Sequence, residues 1–393
     1  MIFRREFRGG LVGALTAWVT VAPVKALISL NAGHDHIFVT GSVGVSHDSN
    51  VFANNEARSD FLFNSSLQAD YTRRAGWIGL DAGVRIDSSR FAEIDGEDFA
   101  NPSFNLNLLK QTGRTTGTLA VTAARESRAD PSLSTRTSSW NYTTDLNLKY
   151  PVVKRLALAP QLGYAQREYV DEEAFANLST YHAGMDLYYI LTSDRDAIAG
   201  YRYRSGQTSR DTGFVDHSFT TGINGRIIRR INGGIRAGYQ VRVPNGIASG
   251  EANFGSWTAS GVLTYPLNKK TSFSGRISKD FSTTATDEYV DNTAASLDVQ
   301  YAYSSRWSAS AGIGWGNSRF LGDRARGVMS PESPEILGPQ RHDDYINGNV
   351  TLDYSLNEHF KFSLSHLWFK NWSTSTVADF VRSNWSFNVV SRW

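Results

Sequence analysis

The sequence contains no cysteine, carries little net charge and has no long hydrophobic run after its first residues. The lack of cysteine fits an exported chain that avoids oxidative mispairing. No later stretch approaches the roughly 18 apolar residues that a membrane-spanning helix needs, which excludes a helical membrane protein. A formal charge of +2 on 393 residues provides no strongly basic surface, so we expect no nucleic-acid partner.

The N-terminal sequence has a short apolar segment that follows several basic residues. Three arginines lie within the first eight residues, ahead of the apolar stretch 11–22 and a small residue at Ala26. This order predicts a signal peptide over residues 1–26 that directs export through the Sec pathway, with cleavage near Ala26. Residues 27–36 are then expected to form a short periplasmic leader.

After the leader, apolar and polar residues alternate in stretches that turn-rich breaks separate. In Trp140–Tyr150, aromatic or aliphatic residues occupy most even positions, whereas Asn141 and Lys149 belong to the polar odd positions. A repeat of two residues is the side-chain period of a β-strand, and no stretch sustains helical spacing. Because no linker or change of composition divides the chain, we interpret residues 37–393 as one all-β domain.

Short and long breaks alternate between these stretches. Eight short breaks recur about every 40 residues, and the breaks between them are longer and rich in Asp, Asn, Ser and Gly. Short turns at one rim and long loops at the other are typical of outer-membrane barrels. The pattern predicts a transmembrane antiparallel up-and-down β-barrel of about 18 strands in the cell outer membrane. The short breaks are 73–76, 111–114, 151–155, 192–195, 228–231, 266–270, 304–306 and 355–359, and the long ones include 47–58, 88–98, 206–215, 244–253 and 321–341.

Two alternatives accompany this fold prediction. A soluble β-sandwich also has alternating strands and packed aromatic residues, but the polar series on the second face argues against an apolar sandwich core. The longest break, 321–341, either folds inward as a constriction or lid, or forms a plain external loop. The sequence leaves that second choice open.

Aromatic residues mark the strand ends beside the short breaks and the end of the chain. Trp77 and its counterparts at the other short breaks are expected to form an interfacial girdle on the periplasmic side. Trp385, Phe387, Val389 and Trp393 share one face of the last strand. This strand resembles the C-terminal signal that the barrel-assembly machinery recognises. We therefore expect that machinery and outer-membrane lipid as partners.

The polar face of each strand predicts what lines the barrel interior. It places six arginines on neighbouring strands and six aspartates mostly on the others. In a water-filled lumen these residues would form a channel with one basic wall, which would orient an anionic or dipolar solute. The alternative is that paired charges merely brace the wall. The basic positions are Arg202, Arg204, Arg226, Arg236, Arg242 and Arg276, and the acidic positions are Asp70, Asp81, Asp145, Asp186, Asp298 and Asp353.

No arrangement in the sequence predicts catalysis. The chain has no Gly-x-Ser-x-Gly elbow, no phosphate-binding glycine loop before a helix and no His-Glu-x-x-His pair. His34, Asp35 and His36 form a polar tract that is too short to hold a metal specifically. We therefore expect no enzymatic activity, no metal site and no cofactor.

A compact motif at the start of the barrel resembles a known family. Asp48, Asn50, Val51 and Phe52 give the pattern Asp-x-Asn-hydrophobic-aromatic after the first strand. The motif resembles the opening of the β-barrel porin-2 family, to which the mature chain is also similar in size, strand rhythm and terminal strand. The resemblance implies a passive conduit in exopolysaccharide or capsule export, with a periplasmic polysaccharide export protein and a polysaccharide as partners. A general or solute-specific diffusion porin and a structural or adhesive outer-membrane barrel stay open as alternatives.

Overall fold

The computed structural model describes residues 28–30, 34–74, 76–171, 173–248, 251–322 and 340–393. The expected signal peptide and most of the longest break therefore lie outside the described residues. Within these ranges no helix is long and apolar enough to cross a membrane.

Nineteen strands account for nearly all of the described chain. Short 3-10 turns at Asp95–Glu97 and Thr376–Ala378 lie in two of the loops. The strands are β1 Ile28–Leu30, β2 Asp35–Asp48, β3 Asp60–Arg73, β4 Gly79–Phe91, β5 Phe99–Lys110, β6 Thr116–Asp130, β7 Thr135–Val153, β8 Leu156–Tyr169, β9 Leu178–Thr192, β10 Arg195–Thr208, β11 Thr212–Ile228, β12 Ile231–Gly246, β13 Phe254–Pro266, β14 Thr271–Thr283, β15 Tyr289–Ala302, β16 Trp307–Leu321, β17 His342–Ser355, β18 Phe360–Ser373 and β19 Phe380–Arg392.

The strands β2 to β19 close into one antiparallel barrel. Each pairs with the next along the chain, and β19 returns to β2 with Trp385 opposite His47. The short strand β1 adds one antiparallel pair to β2, where Ile28 lies opposite Ile37. Closure gives each of these 18 strands a partner strand on both sides, which is what a sheet inside lipid requires. The predicted all-β barrel of about 18 strands is confirmed.

The connections alternate between the two rims as the sequence predicts. All eight short breaks become tight turns at the rim where β2 begins and β19 ends, and the longer connections lie at the other rim. The break at 206–215 differs, because only residues 209–211 leave the strands there, with Asp211 at φ 58°. Thr208 and Thr212 are buried at the two strand ends, and the ladder continues to the pair Gln207–Gly213 despite the polar composition.

The outer surface of the barrel carries large apolar side chains at alternate strand positions. Val43 and Phe63, on β2 and β3, expose 61% and 59% of their surface. Trp77 and Tyr150 are exposed beside the short turns, at the level of an interfacial girdle. An exposed apolar belt around a closed antiparallel barrel is stable only in lipid, so the chain is an outer-membrane β-barrel.

Candidate functional site in the lumen and its extracellular mouth

Ion pairs that pass over intervening strands identify the inner face of the barrel. Arg236 on β12 lies 2.7 Å from Asp186 on β9, and Arg204 on β10 lies 3.1 Å from Asp280 on β14. Side chains three or four strands apart can meet only on the concave side of the wall. The even-numbered residues of β9 to β12, on β11 as far as Asn224, therefore face the lumen, as the sequence pattern predicts.

The arginines of β10 and β12 form a lattice of ion pairs rather than a bare basic surface. Asp216 on β11 accepts bonds from Arg204 at 2.6 Å and from Arg242 at 2.7 Å. Arg202 lies in the field of Asp280 without a direct ion pair or hydrogen bond to another described residue. Three of the six arginines expected in the wall are thus ion-paired here, with Arg202 beside them, and pairing offsets part of their charge. Asp216 and Asp280 were not among the sequence-predicted sites, although strand alternation alone turns both inward.

The two remaining arginines lie apart from this lattice. Arg226 is at the periplasmic end of β11, 3.0 Å from Asp194 and outside the lattice. Its expected role in a basic wall stays a prediction. The exposed positions of β11 change from odd to even numbers beside Arg226, since Ile223 is exposed before Gly225, which has φ 109°, and Ile228 is exposed after it. A hydrogen bond from Thr192 lowers the pKa of the Asp194 carboxyl. Arg276 does face the lumen, but its partner is Asp298 at 2.9 Å.

The six aspartates expected in the lumen all lie on its inner face, and most have a polar partner. Asp81 accepts a hydrogen bond from Arg74 at 2.9 Å, Asp353 lies 3.0 Å from Lys361, and Asp70 accepts from Gln68 at 2.8 Å. Asp145 lies 3.5 Å from His182, while Asp186 and Asp298 pair with arginines as described. The aspartates in the remainder of the wall are therefore largely paired as well.

The extracellular half of the β14–β15 hairpin lies inside the wall formed by β11 to β13. The ladder between β13 and β14 stops at Ala259, whereas the ladder between β14 and β15 continues to Tyr289. Tyr289 and Asp291 would face lipid by alternation, yet Tyr289 contacts the inward-facing Phe214 and Asp291 accepts a hydrogen bond from Ser256. We call residues 279–291 the inner hairpin.

The inner hairpin is held by buried contacts with several strands. Arg242 is fully buried, stacks on Phe214 at 3.9 Å and donates to the Ser282 carbonyl at 2.8 Å. The Tyr289 hydroxyl donates to the Gly213 carbonyl. At the tip, the Ala176 amide of the β8–β9 loop donates to the Ala285 carbonyl at 2.8 Å. The hairpin therefore crosses part of the extracellular mouth.

The acidic tip of this hairpin is partly withdrawn from water. Burial raises the pKa of Glu288 above its usual range, and the nearby Arg341 opposes that effect. Arg341 itself crosses the mouth, donating to the Ser132 carbonyl in the β6–β7 loop. The charged side chains of Glu288 and Arg341 therefore connect the tip of the inner hairpin to the β6–β7 loop on the opposite side of the barrel.

The motif at the start of the barrel also folds inward. Asp48 accepts hydrogen bonds from the Asn50 amide and from Arg382. The Asn50 side chain, which is completely buried, donates to the carbonyls of Asn54 at 2.6 Å and Val381 at 3.2 Å. Beyond it, the buried Ala53, at φ 54°, packs on side chains of β6 and β19. The motif is thus the turn that directs the β2–β3 loop into the mouth.

The final strand presents its apolar face to lipid. Trp385 and Phe387 expose about half of their surface on the outside of β19. Val389 lies on the same face of that strand. Trp393 stacks on His359 at 4.0 Å, and its carbonyl accepts from the Val39 amide at 2.8 Å. The terminal residue therefore helps to close the barrel, while its expected role in assembly stays a prediction.

Comparisons with known proteins give only distant structural likenesses. No family model matches the chain, and no curated protein matches it. OpdK from Pseudomonas aeruginosa, crystallised with vanillate, has a TM-score of 0.47 at 11% identity, covering 91% of this chain and 99% of that one. OccK2 from the same organism gives 0.49 at 11%, covering 91% and 97%, and Acinetobacter baumannii OccAB2 gives 0.47 at 9%, covering 91% and 98%. The fold therefore rests on this chain's own strand pairing, and the resemblance to the β-barrel porin-2 family stays a prediction.

Proposed function

We propose that this barrel is an outer-membrane channel that lets small polar solutes diffuse through a lumen constricted at its extracellular mouth. The observation that carries the proposal is the Arg276–Asp298 pair on the inner face, whose side chains are 53% and 31% exposed. Two ionised groups exposed to that degree inside a barrel require water around them. A hydrated bore lined with charges and amides is the property that a diffusion channel needs.

The constriction favours selective passage of small solutes over a wide conduit. The inner hairpin and the β2–β3 loop both occupy the mouth, and the arginine lattice lies beside them. A solute that passes there comes close to fixed charges, which discriminate by charge, and through a narrowed opening, which discriminates by size. Polysaccharide export, which rests on the family resemblance, is the second candidate, and a structural or adhesive barrel is the third.

Reconstitution into planar bilayers tests the proposal. We expect stable single-channel steps in salt, and swelling of proteoliposomes in small sugars but not in long oligosaccharides. Absence of conductance and of swelling would overturn it. Deleting the gene and measuring surface polysaccharide beside small-solute uptake separates the candidates, since a conduit loses the first and a diffusion channel the second.

Charge reversal at the lattice tests selectivity. Arg202→Glu should lower the anion-to-cation permeability ratio because Arg202 has no direct carboxylate partner among the described residues. Arg226→Glu, at the periplasmic rim beside Asp194, is the matched variant and should change the ratio less. Equal ratios in the wild type and in Arg202→Glu would show that the lattice does not face the conducting path.

A further inference from the structure

A cavity of about 310 Å³ lies on the lumen side of the wall in its periplasmic half. Thr118, Asn147 and Gln161 are paired across β6, β7 and β8 on the inner face and line the cavity together. Tyr188 on β9 and Asn224 on β11 complete this part of the lining. The cavity has the size of a small-molecule site.

The amides in this cavity have unused hydrogen-bonding capacity. Asn147 and Asn224 make no side-chain hydrogen bond with any other residue that the structure describes, and Gln161 uses its Nε2 on Asp186 at 2.9 Å. Each primary amide carries a carbonyl acceptor and two N–H donors. Three amides and the Thr118 hydroxyl therefore offer both donors and acceptors to one solute.

Two cations beside the amides are already paired. Lys149 lies 3.2 Å from Asp196, with its Nζ 4.2 Å from the centre of the Tyr188 ring. Arg236 pairs with Asp186 and donates to the Tyr188 hydroxyl at 3.1 Å. Lys110 borders the cavity as well, but its Nζ lies beside the exposed Trp77 ring at the short turns, 5.9 Å from the ring centre. Neutral hydrogen-bonding groups and one aromatic surface therefore dominate the site.

We propose that this cavity is a binding site for a neutral pyranose unit of a solute in transit. A pyranose has hydroxyl groups at its rim, which amides bind in pairs, and C–H faces, which pack on aromatic rings. The proposal rests on the hydrated lumen inferred above. It goes beyond that inference by assigning one solute class to one set of residues.

Binding of maltotriose to the folded, detergent-solubilised barrel tests the site. Asn147→Ala combined with Asn224→Ala should weaken binding about tenfold in isothermal titration, because two hydrogen bonds are lost. Asn349→Ala is the matched control, since Asn349 lies on the inner face of β17 outside this cavity. It should leave the affinity unchanged. Equal affinity in the wild type and the double variant would overturn the assignment.

The aromatic ring gives an independent check. Tyr188→Phe keeps the ring and should retain most of the affinity, whereas Tyr188→Leu should lose several-fold. Sorbitol, an open-chain polyol, should bind more weakly than maltotriose, and glucuronate should gain nothing from its charge. Stronger binding of glucuronate, or equal binding of sorbitol, would contradict a neutral-pyranose site. The titration does not depend on conductance. A barrel that binds maltotriose but does not conduct would therefore refute only the proposed channel. A barrel that conducts but does not bind maltotriose would refute only the site.

Discussion

Two arginine–aspartate pairs on the same inner wall differ sharply in their surroundings. Arg242 and Asp216, near the extracellular end, are 0% and 4% exposed at the side chain. Arg276 and Asp298, farther toward the periplasm, have the same chemistry and a similar separation but are 53% and 31% exposed. The two pairs therefore have similar distances but very different access to water.

The lumen therefore has two halves that differ in how far water reaches their charged side chains. The extracellular half is packed like a protein interior, because the inner hairpin presses Phe281 and Tyr289 onto the wall. In the periplasmic half the Arg276–Asp298 pair is exposed, as the proposed hydrated bore requires. Removing one partner of an ion pair should therefore lower the free energy of unfolding strongly in the extracellular half and only slightly in the periplasmic half.

The largest expected effect is on the buried pair. Arg242→Ala leaves Asp216 buried with one cation fewer and removes the support of the inner hairpin, so we expect about 3 kcal/mol less stability. Arg276→Ala should cost about 0.5 kcal/mol, because water replaces the lost partner. Unfolding in urea, followed by the heat-modifiable shift in gel mobility, measures both. Similar losses for the two variants would remove the distinction between the halves.

A smaller difference in stability is expected when a side-chain amide is removed from each half. Asn50→Ala removes two buried hydrogen bonds in the turn that folds into the mouth and should cost about 2 kcal/mol. Asn147→Ala, in the periplasmic half, should leave the unfolding midpoint almost unchanged. The same unfolding assay applies. If Asn147→Ala were as destabilising as Asn50→Ala, the periplasmic half would be packed too.

The smallest expected effect is a pH dependence at the tip of the inner hairpin. Burial raises the pKa of Glu288, so its ionised form is disfavoured in the folded state. The resulting destabilisation exists at neutral pH and disappears as the pH falls through the raised pKa. Relative to Glu288→Gln, the wild type should therefore gain stability on mild acidification. A difference between the two that does not change with pH would place Glu288 in water.

Strand order and rim layout could be predicted from the sequence because both depend on local signals. Alternation and turn composition were sufficient to give 18 strands, and they turned Arg202, Arg236 and Arg242 inward. Lattice partners were harder to predict, since Asp280 lies four strands from Arg204. Contact between side chains on strands so far apart depends on the curvature of the closed barrel, which a single sequence does not specify.

The inner hairpin was not predicted because an inward shift leaves the alternation of a strand unchanged. One signal was present nevertheless. Lys279 and Asp291 are charged residues at positions where alternation expects lipid-facing apolar side chains. They are 7% and 1% exposed and form an ion pair against the wall. Charged residues at nominally lipid-facing positions can therefore reveal strands that have left the barrel surface.

The placement of the inner hairpin is tested most directly by a disulfide across the mouth. Ala176→Cys with Ala285→Cys introduces the chain's only two cysteines, at positions joined by a backbone hydrogen bond of 2.8 Å. A disulfide requires Cα atoms about 4.4–6.8 Å apart. We predict near-complete cross-linking under mild oxidation. In a regular wall the β8–β9 loop and the β14–β15 tip would be about five strand spacings, roughly 24 Å, apart. Failure of the folded double variant to cross-link would contradict a constricted mouth.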